Sequence, residues 1–128
     1  MPHFILEHSA NLNGQTDVQA LCDIILKEAL LTGYFEVGAV RVRAMSCENY
    51  AIADQLPQNA FVHITIRMGA GRSLDDKKKV GEAIFAAATK QLLPLLNEPY
   101  FALSLDIEEI NAELSWKKNA MHKRLRKT

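Results

Sequence analysis

One pattern limits this chain more than any other: a short alternating apolar run, a helical run and a second alternating run, in that order, occurring twice. In the first pass HFILE (residues 3–7) is strand-like and NLNGQT supplies turn residues. Thr16 opens TDVQ, which has capping-box spacing with Gln19 at its third position. Leu21, Ile24, Ile25 and Leu31 then recur at helical spacing until Gly33 offers a left-handed stop. VGAVRVRAM (37–45) alternates again at period two. The second pass runs FVHITIRM (61–68), GAGRSLDD, a helical run from Leu74 to about Leu93, and FALSLDIEEI (101–110). Ser73 is the natural cap of that helix, with Asp75 and Asp76 well placed against its dipole. Pro94 in QLLPLL predicts a kink or an end there.

The reading is a single α+β domain: a βαβ unit over about 2–45, a polar linker over about 46–60 containing Pro57, a second βαβ unit over about 61–110, and a tail over 111–128. Such crossovers are overwhelmingly right-handed, so two of them in one four-stranded sheet place both helices on the same face. Alternation sorts the faces. Val62, Ile64, Ile66 and Met68, with Phe101, Leu103, Leu105 and Ile107, are expected to meet the helices. The other face carries Phe61, His63, Thr65 and Arg67, Ser104, Asp106 and Glu108, and Arg41 and Arg43. There Arg41 or Arg43 is expected to pair with Asp106 or Glu108. Parallel strands are normally covered on both sides, so the bare face predicts a symmetric homo-oligomer.

Bulk properties narrow the function. Among 128 residues, 15 Lys+Arg balance 15 Asp+Glu, so no global field attracts nucleic acid or a membrane surface. No apolar run approaches the roughly 20 residues that span a bilayer. Cys22 and Cys47 lack CxxC spacing and no signal peptide precedes them, which predicts a cytoplasmic chain with reduced thiols. The histidines, His3, His8, His63 and His122, show no metal-ligand spacing on one element, so no metal is assigned. Neither cysteine has a visible base partner, so no covalent nucleophile is expected. The tail holds Lys117, Lys118, Lys123, Arg124, Arg126 and Lys127 without an aromatic platform for bases; it is read as a solvated end, with Trp116 the residue able to dock it.

Two motifs carry chemistry. The chain opens MPHFIL, and an initiator methionine is normally trimmed before a residue as small as proline. Trimming would leave Pro2 with a free secondary amine at the mouth of a buried strand. In GAGRS, two glycines let backbone approach an anion, and the helix start just beyond Ser73 presents unpaired N–H groups. Arg72 adds a fork suited to a carboxylate. Leu74 stands where a dinucleotide fingerprint needs its third glycine, so that ligand is excluded.

Pro2, the doubled βαβ pattern, an arginine on the second strand and GAGRS together resemble the tautomerase superfamily, and within it the 5-carboxymethyl-2-hydroxymuconate isomerase family. The stretches that carry the resemblance are PHFILEHS, TGYFEVGAVRVRA, AFVHITIRMGAGRSL, ALSLDIEEI and LSWKKN, spread over nearly the whole chain. The resemblance implies a homotrimer with active sites near subunit boundaries, no cofactor, and a small-molecule carboxylate substrate from homoprotocatechuate degradation. By motif position it makes Pro2 the acid–base group and Arg41 and Arg72 the carboxylate binders; Arg43 is a further candidate binder, and His3 and His63 are further candidates at the pocket, able to bind or to tune it. The implied reaction turns a 2-hydroxydienoate polycarboxylate into its 2-oxo-enoate. Arylpyruvate tautomerisation, haloacrylate dehalogenation, or a ligand-sensing or assembly role without turnover are the alternatives.

Overall fold

Strands β1 (His3–Ser9), β2 (Arg41–Cys47), β3 (Ala60–Gly69) and β4 (Phe101–Ile110) form one sheet in the order β2-β1-β3-β4. This computed structural model describes residues 1–126; Lys127, one of the tail's cations, lies outside them. β1 runs parallel to β2 and β3 parallel to β4, while the central β1–β3 pair is antiparallel. The sheet is therefore two βαβ units joined back to back, as the doubled pattern requires. Helices α1 (Val18–Leu31) and α2 (Leu74–Gln91) pack on one face. There Phe4, Leu6, Ile64, Ile66 and Met68 meet Leu21, Ile25, Val80 and Ile84, all at most 1% exposed.

Local chemistry sets the element ends. Asp17, rather than Thr16, caps α1: its side chain accepts from the Ala20 N–H at 2.9 Å. The carboxylate is the better acceptor at the positive end of a helix, and Thr16 is occupied in a bridge with Asn13. Gln19 turns outward and donates to Asp23 at 2.8 Å instead of closing a box. Leu31 lies on the solvent side, 68% exposed, and the chain leaves the helix through Gly33 at φ +79°. Ser73 caps α2 by accepting from the Asp76 N–H at 3.1 Å. Pro94 falls in the first turn of a separate short helix, α3 (Leu93–Leu96), where its missing N–H costs nothing.

Two expectations fail for long-range reasons. Residues Val37–Ala39 form a 3-10 turn and β2 begins only at Arg41. Its first partner is His3, and the Arg41 N–H already reaches the Pro2 carbonyl at 3.3 Å, so residues 37–39 have no strand to join. Arg41 and Arg43 do not pair with Asp106 or Glu108, because β2 and β4 are opposite edges of the sheet. Asp106 lies 3.7 Å from His63, and Glu108 lies 3.6 Å from Arg67.

The tail is docked, and not by Trp116, which is 85% exposed. Asn119 Nδ2 donates to the Gly38 carbonyl at 2.7 Å, and short helix α4 (Met121–Leu125) lies against the turn at Val37–Ala39. Arg126 grips Glu36 through two hydrogen bonds of 2.6 and 2.8 Å. Gly38 is what permits this approach: a Cβ there would sit 3.0 Å from His122 Nδ1. Among the described residues no helix is long and apolar enough to cross a membrane.

Candidate active site

The start of β1, the loop after α1, the turn before α2 and the docked tail converge on a cavity of about 430 Å³. Pro2 is buried at its floor; Phe35 and Glu36 come from the loop, Arg72 from the GAGRS turn, and Lys117 and Asn119 from the tail. Gly71 at φ +112° turns the chain so that Arg72 points inward rather than along the helix. The Arg72 guanidinium lies 5.0 Å from the centroid of the Phe35 ring and donates from Nη2 to the Tyr34 carbonyl at 3.2 Å. Tyr34 is itself fixed by its hydroxyl, which donates to Asp76 at 2.9 Å. That bond is the main cause of a phenol pKa above the ordinary value.

Arg41 stands just behind the cavity wall. Its Nη1 donates to the Ala39 carbonyl at 2.8 Å, and Ala39 lines the cavity. Among the described residues no carboxylate forms an ion pair with Arg41, Arg72 or Lys117. Their effect is visible on the terminal amine beside them. The terminal ammonium of Met1 is held below 8.0, first by burial, then by Lys117, Arg72 and Arg41. A half-enclosed cavity with uncompensated cations is built to take an anion.

The other sequence candidates separate. Arg43 donates to His3 Nδ1 at 3.1 Å on the open sheet face, so His3 carries its proton on Nε2 and is neutral. Burial and then Arg43, Arg41 and Arg67 push the His3 pKa down. His3 lines a second cavity of about 220 Å³, separated from the first by Met1 and Lys117. His63 is not brought to either cavity; it bonds Ser104 at 2.6 Å on the β4 side of the open face. Burial pushes the Cys22 thiol up, against any nucleophilic role. Among the described residues no group of three or more His, Cys, Asp or Glu side chains is placed to hold a metal ion.

Sequence reasoning passed over Phe35, Glu36, Lys117 and Asn119. Phe35 and Glu36 lie within TGYFEVGAVRVRA and Lys117 and Asn119 within LSWKKN, stretches that stood out without any role for these residues. Only the docking of the tail reveals what they share.

A four-stranded sheet of two antiparallel-joined βαβ units, with a basic cavity at the start of its first strand, is the tautomerase-like fold. A member of the cis-3-chloroacrylic acid dehalogenase family has the same fold at 15% identity, with a TM-score of 0.65 over 91% of this chain and 80% of that one. The specific relationship is closer. The sequence profile of 5-carboxymethyl-2-hydroxymuconate isomerase matches residues 2–125. The 5-carboxymethyl-2-hydroxymuconate Delta-isomerase of Escherichia coli is 34% identical over 122 residues, 95% of this chain and 97% of that protein. The crystal structure of a 5-carboxymethyl-2-hydroxymuconate isomerase from Deinococcus radiodurans R1 superposes with a TM-score of 0.89 at 38% identity, over 98% of this chain and 95% of that one. This chain belongs to the 5-carboxymethyl-2-hydroxymuconate isomerase family, and it is an isomerase.

Proposed function

We propose that the protein ketonises 5-carboxymethyl-2-hydroxymuconate, or a close polycarboxylate relative, in the breakdown of aromatic compounds. Pro2, freed by removal of Met1, moves the proton. Its nitrogen accepts the proton of the 2-hydroxyl as the C2 oxygen becomes a ketone. The double bonds shift by one position, and the same nitrogen then delivers a proton to C5. One proton leaves oxygen, one arrives at carbon, and no electron acceptor is needed.

The observation that carries this reading is the placement of Pro2 on the floor of a cavity where burial, and then free cations, depress the neighbouring amine. An ordinary α-amine has a pKa near 8, and burial with positive neighbours lowers it toward neutrality, where a group that both accepts and donates works best. The proline ring fixes the nitrogen relative to β1, so the lone pair is aimed. Arg72, anchored on Phe35, and Arg41 hold the carboxylates, and their charge favours electron flow toward the bound end. The family relationship supports a homotrimer, as do the open sheet face and unpaired outer edges. A cytoplasmic location is consistent with free Cys22 and Cys47.

Ultraviolet-monitored ketonisation tests the mechanism. Protein with a residue retained ahead of Pro2 has a tertiary amide in place of the base and is expected to lose about 10²–10⁴-fold in kcat/KM. Equal turnover by blocked and trimmed protein, or unchanged turnover in both Pro2→Ala and Arg72→Ala, would refute it.

A further inference from the structure

We infer that the second cavity is the subsite for the substrate's carboxymethyl arm and that Lys117 is the residue that selects for it. This rests on the function proposed above and goes on to say how a tricarboxylate is told from a dicarboxylate.

Met1 and Lys117 are the two residues that line both cavities. Met1 is the residue whose removal frees Pro2, so the step that creates the base also opens the partition. With Met1 gone, Lys117 is the residue common to the two spaces, about 430 and 220 Å³, and the freed Pro2 nitrogen faces the position that Met1 leaves between them.

The substrate has its branch at the matching point. The proton must be delivered to C5, which therefore sits against Pro2, and C5 bears two anionic substituents: the C6 carboxylate and the carboxymethyl arm. Two anionic groups diverging from the carbon beside Pro2 fit two cavities that meet where Met1 stood, next to Pro2. The larger space holds the dienoate with Arg72 and, behind Ala39, Arg41. The smaller has room for a short arm between Gly69, Ala70 and Trp116, and the cation on its wall is Lys117. His3, also on that wall, is kept neutral by its bond from Arg43, which leaves the ammonium to take the carboxylate.

Lys117 is suited to the task. It is exposed in the free protein, and among the described residues no acidic side chain is paired with it. Its backbone is held two residues on by Asn119, which donates to the Gly38 carbonyl at 2.7 Å. The ammonium is thus positioned without being neutralised.

The test compares trimmed wild-type protein with Lys117→Gln on two substrates, 5-carboxymethyl-2-hydroxymuconate and unbranched 2-hydroxymuconate. Loss of one charge-assisted hydrogen bond should raise KM for the branched substrate about 10- to 100-fold. The unbranched substrate meets Lys117 only as one of the first cavity's cations, so its KM should rise less, the branched-to-unbranched KM ratio growing by about fivefold or more, and Lys117→Arg should recover most of the loss. Ala70→Leu, which narrows the second cavity without touching charge, should penalise the branched substrate selectively as well. Equal losses on both substrates, or none on the branched one, would overturn the assignment. Calorimetry with propane-1,2,3-tricarboxylate and glutarate separates this from failure of the proposed reaction. A wild-type preference for the tricarboxylate that vanishes in Lys117→Gln supports the subsite whether or not ketonisation is seen. No preference, or one that survives the substitution, refutes the subsite alone.

Discussion

Replacing Phe35 with leucine should weaken the fold and loosen the site together, because this ring joins the two. Its face supports the Arg72 guanidinium at 5.0 Å, and it meets the fully buried Phe4 edge to face, with centroids 6.0 Å apart and planes at 86°. Leucine keeps an apolar side chain at the position but removes both ring interactions. A partly exposed cation–π contact contributes about 0.5–1 kcal/mol and an aromatic pair about 0.5–1.5 kcal/mol. The expected destabilisation of Phe35→Leu is therefore about 1–2.5 kcal/mol, read as a fall in Tm of about 4–10 °C for a domain of this size. Arg72 keeps its bond to the Tyr34 carbonyl but loses its platform, so KM should rise about two- to fivefold with little change in kcat. Thermal unfolding in an Arg72→Gln background isolates the cationic part: there Phe35→Leu should cost about 0.5–1 kcal/mol less than in wild type. Zero coupling in that cycle, with an unchanged KM, would refute the link between ring and guanidinium.

Further outcomes follow from the same geometry. In the proposed mechanism the Pro2 nitrogen must be unprotonated to act, and burial and then the nearby cations depress an amine there, so kcat/KM should rise with pH to a plateau with its half-rise below 8.0. Arg72→Gln should move that limb to higher pH, since one charge opposing protonation is gone; a shift to lower pH would contradict the electrostatic account. Arg126→Ala should release α4, lowering the amide-exchange protection factors of Met121–Leu125 and raising KM. Arg126 holds the Glu36 carboxyl below its ordinary 4.5, so this clasp is complete above that pH and is lost as pH falls through the depressed value. Protection in wild type should fall with acid in that range, and protection insensitive to both changes would show that the clasp does not hold the tail. At the start of α1, Asp17→Ala should cost about 1 kcal/mol in denaturant unfolding, whereas Thr16→Ala should stay within about 0.5 kcal/mol. The reverse order would return the cap to Thr16.

Legibility in the sequence followed the range of the forces involved. β3 and β4 were readable because each alternates cleanly and one face of β3 is wholly buried, as at Val62, Ile64, Ile66 and Met68. The start of α2 was readable because Ser73 and two aspartates act within one turn. Thr16 and Asp17 are both competent caps, and the carboxylate's advantage at a helix start together with the bridge from Asn13 decides between them. Val37–Ala39 alternates like a strand, but a strand needs a neighbour, and that depends on where β1 begins. Sheet order is likewise a long-range property, so the partners of Arg41 and Arg43 could not be read from spacing. At the site, Pro2 and Arg72 do share a cavity, while Lys117 and Asn119 were hidden in a run that looks solvated. What fixes that run is Gly38, 81 residues before Asn119, and Glu36, 90 residues before Arg126, and no local pattern announces such contacts.

The placing of β2 and β4 at opposite margins gives the sheet a polarity across its width. One flank carries Arg41 and Arg43; the other carries Asp106 and Glu108, whose side chains remain 62% and 59% exposed. Two copies meeting flank to flank about a twofold axis would set guanidinium against guanidinium or carboxylate against carboxylate. A head-to-tail arrangement sets opposite signs together at every junction, and such contacts either close into a ring or grow into a fibre. The distribution of charge on this surface thus favours contacts between unlike flanks over contacts between like ones.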